Sequence, residues 1–163
     1  MSKIDNDKVI IVGGGPIGLI CGFWLAKKGI RVSIYEKGIK IPEDLRASTW
    51  HPATLDMLDE FNISDKIISK GSITPSWQYR YQDSGERAIF ELNVLEGETN
   101  HPYRVQCEQF HIVKYLSKKL QKLDNAKLFL NSDVYDIHQD EKGVDVHILS
   151  NGEKLTERCK YLV

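Results

Sequence analysis

The sequence predicts an α/β fold that begins with a βαβ unit and later adds an antiparallel meander. Three observations predict it. The run Val9-Ile-Ile-Val-Gly13-Gly-Gly15-Pro-Ile-Gly18 joins a β-branched apolar stretch to glycines at fixed offsets. A helical stretch and a second apolar run, Val32-Ser-Ile-Tyr35, then lead to an acid, Glu36. Much later, Val144, Val146 and Ile148 alternate with polar residues between two turn signals, Asp140-Glu-Lys-Gly143 and Asn151-Gly152. The first two read as a Rossmann-like unit and the third as neighbouring antiparallel strands.

Lys8 to Val12 carries a continuous apolar, β-branched run after its lysine, as expected of a strand buried on both faces of a parallel sheet. Gly13 suits the tight turn that leaves it. Gly15 has no side chain to hold a pyrophosphate away from the backbone, and Gly18 lets the helix lie close to the strand. Pro16 and Ile17 open that helix; a proline in the first turn lacks only an N–H that would have no partner. The remaining N–H groups face the phosphates, aided by the positive end of the helix dipole. Apolar positions 17, 20, 21, 24 and 25 are expected to face inward, with Gly29 as the C-terminal cap. Arg31 to Tyr35 is the second strand. Glu36 follows 23 residues after Gly13, where a carboxylate can accept from both ribose hydroxyls and repel a 2′-phosphate. That selects FAD or NAD over NADP.

After a polar loop with Pro42, His51-Pro52 leads into a helix over Ala53–Phe61, with Leu55, Leu58 and Phe61 inward. Asn62 ends it, and Ser64 is placed to cap a short helix from Asp65 to Lys70. Ser76–Gln82 and Arg87–Leu92 alternate around the turn Asp83-Ser-Gly-Glu86 and read as a β-hairpin. Trp77, Tyr79 and Tyr81 form a stripe on it. Sheet packing is the favoured reading of the stripe, and the wall of an aromatic-substrate pocket is the other. Tyr103 to Leu116 is an extended segment entering a helix with apolar positions 113, 116, 120 and 123. Ala126 to Leu130 is a further parallel strand. Asp133–Gln139, Val144–Leu149 and Lys154–Val163 form the meander, its second turn the type I′ pair Asn151-Gly152. A meander after the βαβ unit is the order of flavin-binding folds of the glutathione-reductase type. A classical NAD dehydrogenase continues with more βαβ repeats.

The remaining signals exclude function classes. The formal net charge of −1 gives no electrostatic case for nucleic acid, and no apolar run is long enough for a membrane span. Three separated cysteines, Cys21, Cys107 and Cys159, read as reduced packing thiols, which with a polar N-terminus makes the expected location cytoplasmic. The five histidines show no recognised metal-ligand spacing, and there is no Gly-x-Ser-x-Gly elbow.

Two stretches carry a family resemblance. Glu36…Arg46-Ala-Ser…His51-Pro-Ala-Thr-Leu-Asp-Met-Leu and Tyr103-Arg-Val-Gln-Cys-Glu-Gln-Phe-His-Ile-Val-Lys-Tyr-Leu resemble the corresponding parts of FAD-dependent aromatic hydroxylases of the para-hydroxybenzoate hydroxylase type. The resemblance implies that Arg46 contacts FAD on its pyrophosphate and ribityl side. It also implies that a glutamine before the second helix reaches the flavin; Gln106 matches best, with Gln109 a near competitor. Arg104 is a further candidate toward cofactor or substrate. The cofactor-binding candidates are thus Gly13, Gly15, Pro16, Ile17, Gly18, Glu36, Lys37, Arg46, Arg104, Gln106 and Val134. No side chain stands out as a catalytic acid or base.

The resemblance further implies a flavoprotein monooxygenase in which NAD(P)H reduces FAD, O2 adds to give a flavin hydroperoxide, and one oxygen is transferred to a phenolic ring. The implied arrangement is a first part of the FAD-binding domain over 1–75, a hairpin of the substrate-binding sheet over 76–103, and a return to the FAD-binding domain over 104–163. In that family the last strand runs into a Gly-x-Asp-Gly segment, so the expectation is an N-terminal portion, partnered by a complementing C-terminal half or by a second copy in a homodimer. Two alternatives stay open: another FAD-dependent oxidoreductase of the same fold, and an inactive FAD-binding fragment.

Overall fold

The computed structural model describes residues 5–41, 43 and 47–163. These divide into two compact units, one formed by Met1–Asp44 with Val113–Val163 and the other by Leu45–Ile112. Arg46, predicted to touch FAD, lies outside the described residues.

The first unit opens with β1 (Asp5–Val12), α1 (Pro16–Lys27) and β2 (Arg31–Tyr35), with β1 and β2 parallel. Helix α1 buries Leu19, Ile20, Phe23 and Ala26, while Ile17 is 79% exposed. The inward stripe therefore differs from the one expected over 17, 20, 21, 24 and 25. The cause is the pair Gly18 and Gly22, which approach the sheet so closely that a Cβ on Gly22 would lie 2.5 Å from Ile34 Cδ1. Their face must turn toward the strands, and Ile17 rotates outward. Gly29 takes φ 86° just past the helix, as a C-terminal cap requires.

The second unit carries β3 (Thr49–Trp50), α2 (Pro52–Asp59), α3 (Ile63–Ile68), β4 (Ser72–Thr74), β5 (Ser76–Arg80), β6 (Arg87–Glu91) and β7 (Arg104–Gln106). Pro52 starts α2, which buries Leu55 and Leu58. Helix α3 begins two residues earlier than expected. Asn62 adopts a left-handed φ of 55°, turning the chain within one residue, so that Ile63 and Ile67 can both be buried one helical turn apart. Ser64 is consequently inside the helix, not its cap, and its hydroxyl donates to Asp59. Strands β3 and β4 flank β7 in an antiparallel sheet that the sequence pattern did not reveal. Val105 is wholly buried there, and the Trp50 indole N–H donates to Cys107 O at 2.8 Å. β5 and β6 form the expected hairpin.

Helix α4 (Gln109–Leu120) buries Ile112, Val113, Leu116 and Leu120; position 123 falls beyond its end. The chain then returns through β8 (Ala126–Phe129), β9 (Ser132–Asp140), β10 (Gly143–Ser150) and β11 (Glu153–Leu162). With β1 and β2 these complete a six-stranded sheet in the order β8-β2-β1-β11-β10-β9. β11 pairs antiparallel with β10 along its first part and parallel with β1 near its end. Ile10 and Tyr35 share one core with Val144, Val146, Ile148 and Cys159, so the meander folds over the parallel strands. Asn151 and Gly152 both take positive φ, as a type I′ turn demands. Among the described residues no helix is long and apolar enough to cross a membrane.

Candidate cofactor site

The site in the first unit lies where β1 and β2 end, the side of a parallel sheet on which ligands collect. Gly13 leaves β1 with φ 105°, and its N–H donates to Tyr35 O at 2.8 Å, joining the two strand ends. A Cβ on Gly18 would sit 2.0 Å from Gly13 O, which explains glycine at that position by contact distance alone. Gly15 is different. It caps α1 in an extended conformation, and a Cβ there would meet no atom within 4 Å. The start of α1 has no side-chain cap and no acid in its first turn. Among the described residues its first backbone N–H groups thus have no side-chain cap, and the positive end of the helix dipole lies behind them.

Glu36 is held by two backbone donors. Gly14 N–H donates to Oε2 at 2.7 Å and Gly38 N–H to Oε1 at 2.8 Å. A Cβ on Gly14 would come within 2.9 Å of Glu36 Cβ, so contact with the acid itself requires the middle glycine of the triplet. The main chain here is tied again, by Ser132 N–H to Glu36 O at 3.0 Å and Asn131 N–H to Gly38 O at 2.9 Å. Val12, Gly13, Tyr35, Glu36, Lys37, Ser132, Asp133 and Val134 enclose a cleft of ≈ 240 Å³. The structure thus brings Gly13, Glu36, Lys37 and Val134 to one cleft. Tyr35 stacks on Phe129 with centroids 4.9 Å apart. Burial first, then hydrogen bonding to Glu157, push its phenol far above the usual range, so it remains a neutral wall. A larger cavity of ≈ 590 Å³ opens elsewhere, lined by Lys8, Val9, Lys28, Gly29, Ile30, Arg31 and Tyr161. It lacks both the glycine turn and the helix start.

These features suit the adenosine and pyrophosphate parts of an adenine dinucleotide. An anchored carboxylate serves a ribose, an uncapped helix start serves a phosphate, and the open space at Gly15 allows close approach.

In the second unit, β7 places Arg104 and Gln106 on one face of its sheet. The Gln106 side-chain carbonyl accepts from Ser48 Oγ at 3.2 Å and Thr49 Oγ1 at 3.0 Å. Gln109 is the first residue of α4. On the hairpin, Trp77 stacks on Phe90 at 4.2 Å, and Tyr79 meets Trp77 edge-on at 5.0 Å. The stripe is therefore completed across the strands by Phe90, while Tyr81 lies beyond β5. Tyr79 is 60% and Phe90 43% exposed, so these aromatics are not buried as sheet packing alone predicts.

Residues 6–163 match the family described as FAD binding domain. The chain belongs to this FAD-binding domain family. The domain is 30% identical over 156 residues to the para-nitrophenol 4-monooxygenase of Pseudomonas sp. strain WBC-3, covering 96% of this chain and 39% of that protein. It is also 30% identical over 141 residues to the 6-hydroxy-3-succinoylpyridine 3-monooxygenase of Pseudomonas putida S16, covering 86% and 36% respectively. The crystal structure of the p-nitrophenol 4-monooxygenase of Pseudomonas putida DLL-E4 superposes with a TM-score of 0.88 at 30% identity, over 98% of this chain and 40% of that one. The monooxygenase PieE, solved with FAD and substrate, has the same fold at a TM-score of 0.81 and 21% identity, over 99% of this chain and 30% of that one. The domain thus spans about two-fifths of the length of the nitrophenol monooxygenase it matches.

Sequence reasoning singled out Gly13, Gly15, Gly18 and Glu36 in this FAD-binding domain but not Gly14 and Gly38, the two backbone donors to the Glu36 carboxylate. A glycine on each side of the acid in space was written as Gly13-Gly-Gly15 and Glu36-Lys-Gly38, yet only the fold shows that they meet. Asp59 and His101 were missed as well. The imidazole of the buried His101 bridges Asp59, at 2.9 Å, and the Tyr103 hydroxyl, at 3.0 Å. With Asp56 they bring three potential metal-ligating atoms within 4.8 Å of one another. Asn100 also occupies both carboxylates, so the cluster is a hydrogen-bonded tie between α2 and the approach to β7.

Proposed function

We propose that this domain is the FAD-holding part of an NAD(P)H-dependent monooxygenase that adds oxygen to a phenolic ring. The observation that carries the cofactor is the Glu36 carboxylate, held by Gly14 and Gly38 beside an uncapped helix start. The choice of reaction is supported by relatives named for para-nitrophenol, pentachlorophenol and 3-(3-hydroxyphenyl)propionate.

When bound, FAD reduced by NAD(P)H supplies the oxygen activation, with one atom of O2 passing to the ring. The chain's own residues bind and orient. Glu36 accepts the ribose hydroxyls of the adenosine half, and Lys37 and Val134 border the same cleft. N–H groups of the first turn of α1, from Ile17 onward, meet the pyrophosphate across Gly15; Pro16 has no N–H to offer. Arg46 adds a cation on the pyrophosphate and ribityl side, and Gln106, or Gln109 at the start of α4, contacts the flavin. A guanidinium and a carboxamide in these places bind without exchanging protons near neutral pH, which suits a protein that positions its cofactor and leaves the oxygen chemistry to it.

Purification with FAD tests the cofactor: a yellow protein with stoichiometric flavin is expected. NAD(P)H consumption dependent on para-nitrophenol or another phenol tests the reaction. A colourless protein that takes up no flavin would refute the reading at its first step.

A further inference from the structure

We propose that Arg104, lying over Trp77, receives the anionic oxygen of a phenolate substrate. The inference rests on the monooxygenase reading and names the group its substrate must carry.

Arg104 pairs with Thr74 across the β4–β7 ladder. Its guanidinium carbon is 5.6 Å from the centroid of the Trp77 ring. Its Nε is buried and has no hydrogen-bond partner among the described residues. Such an orphan donor is uncommon, because burial removes water without supplying a replacement acceptor. On an arginine it is more telling, since the planar fork of N–H groups matches an oxyanion and the guanidinium face still stacks on an aromatic ring. The surroundings supply that ring. Trp77 lies flat on Phe90, with an interplanar angle of 10°, and Tyr79 closes the edge at 75°. The result is a three-ring wall, partly open to solvent, with one cation on it.

The arrangement selects for an aromatic anion. A planar ring gains area against Trp77, Tyr79 and Phe90, while an ionised hydroxyl satisfies the guanidinium. Phenols with electron-withdrawing substituents ionise near neutrality and meet both demands. Arg104 is also two residues from Gln106 on the same strand face, about 6.6 Å along β7 at the usual rise per residue. A phenolate held by Arg104 would therefore lie next to Gln106, the residue proposed to contact the flavin.

The test uses para-nitrophenol and its methyl ether, para-nitroanisole, with the FAD-loaded wild-type protein and the variants R104Q and R104K. Binding to a cation favours ionisation, so the wild type is expected to lower the nitrophenol pKa, seen as yellow phenolate absorbance at a pH where the free phenol is colourless. It should bind the phenolate at least about tenfold more tightly than the ether. R104Q should lose both the spectral shift and the preference while binding the ether unchanged. R104K, which keeps the charge but not the fork, should recover part of the shift; this rescue separates recognition from a folding defect. An unshifted phenol, equal phenolate binding by R104Q, or no binding by the wild type overturns the proposal. Flavin absorbance in the same samples keeps the two readings apart. A flavin-loaded wild type that ignores nitrophenol refutes the Arg104 site alone, whereas a wild type that takes up no flavin refutes the monooxygenase reading.

Discussion

Gly15 and Gly18 look alike in the glycine motif, but their substitution by alanine should have opposite effects. At Gly18 the added methyl would sit 2.0 Å from Gly13 O and 3.4 Å from Ile11 Cγ2. An ordinary contact begins near 3.4 Å, so helix and turn must separate by more than an ångström. The obstacle is a backbone oxygen that cannot swing away, and α1 is seated by Leu19, Ile20, Phe23 and Ala26. Overpacking of this kind costs roughly 1–3 kcal/mol, and a backbone clash belongs at the top of that range. At roughly 2–4 °C per kcal/mol for a chain of this size, Gly18→Ala should melt about 6–12 °C lower. At Gly15 the methyl meets nothing within 4 Å, and φ −75° is accessible to alanine. Flavin-free Gly15→Ala should therefore be as stable as the wild type or up to about 1 kcal/mol more so, because the unfolded chain loses freedom. Its methyl would stand where a pyrophosphate must approach, and FAD binding should weaken by at least about tenfold, or 1.4 kcal/mol. Thermal melts by circular dichroism without flavin, and FAD titrations of both variants, decide the matter. A Gly18→Ala protein that melts with the wild type, or a Gly15→Ala protein that binds FAD normally, would refute the assignment of roles.

Three further outcomes follow from the same geometry. Glu36→Gln keeps one acceptor oxygen but turns an amide N–H2 toward a backbone N–H; calorimetric titration should show FAD affinity lower by about 1.5–3 kcal/mol, the usual worth of a charged hydrogen bond. Gln106→Ala removes the acceptor shared by Ser48 and Thr49 and should cost about 1 kcal/mol in urea denaturation, whereas Gln109→Ala, whose side chain makes no such bond among the described residues, should not. Whichever variant shifts the visible spectrum of bound flavin identifies the glutamine that touches it. Asp59 is pushed up by burial, but hydrogen bonds from Ser64, His101 and Asn100 outweigh this and hold its carboxyl below the usual 3.8. Its contribution is therefore present above that value and lost as pH falls through the lower, folded one. Asp59→Asn should be less stable at pH 7 by roughly 1 kcal/mol, a figure already discounted for the partial exposure of the carboxylate, and the gap should close below about pH 4 in pH-dependent denaturation.

The first unit was largely readable because its elements repeat at the periods a sequence displays. The runs Lys8–Val12 and Arg31–Tyr35, the alternation from Val144 to Ile148 and the pair Asn151-Gly152 each carry their own local signal. What failed there was the rotation of α1. Hydrophobicity alone favours Ile17 and Trp24, but the close approach at Gly18 and Gly22 decides the inward face, and glycine carries no weight in an apolar pattern. The second unit was less readable. β3 and β4 have two and three residues, too few to show an alternation, and exist because β7 lies between them to supply hydrogen bonds. The tie from Asp59 to His101 joins residues 42 apart, and no spacing rule reaches that far.

The interdependence of Gly14, Glu36 and Gly38 also shows why a glycine triplet by itself is weak evidence of a dinucleotide site while the triplet with a distant acid is strong. The Gly14 and Gly38 N–H groups each use one lone pair of the carboxylate and leave others on both oxygens for ribose hydroxyls. The acid is thus held in its binding geometry before any ligand arrives, and little side-chain freedom remains to be lost on binding. The Gly14 bond joins the exit of β1 to the exit of β2, so the turn proposed to meet the phosphate and the acid proposed to meet the ribose are one structural unit. Either part alone would leave donors or a carboxylate without these partners at the very end of the sheet. The acid at position 36 is therefore a partner in building the glycine turn as well as the proposed acceptor for the ribose.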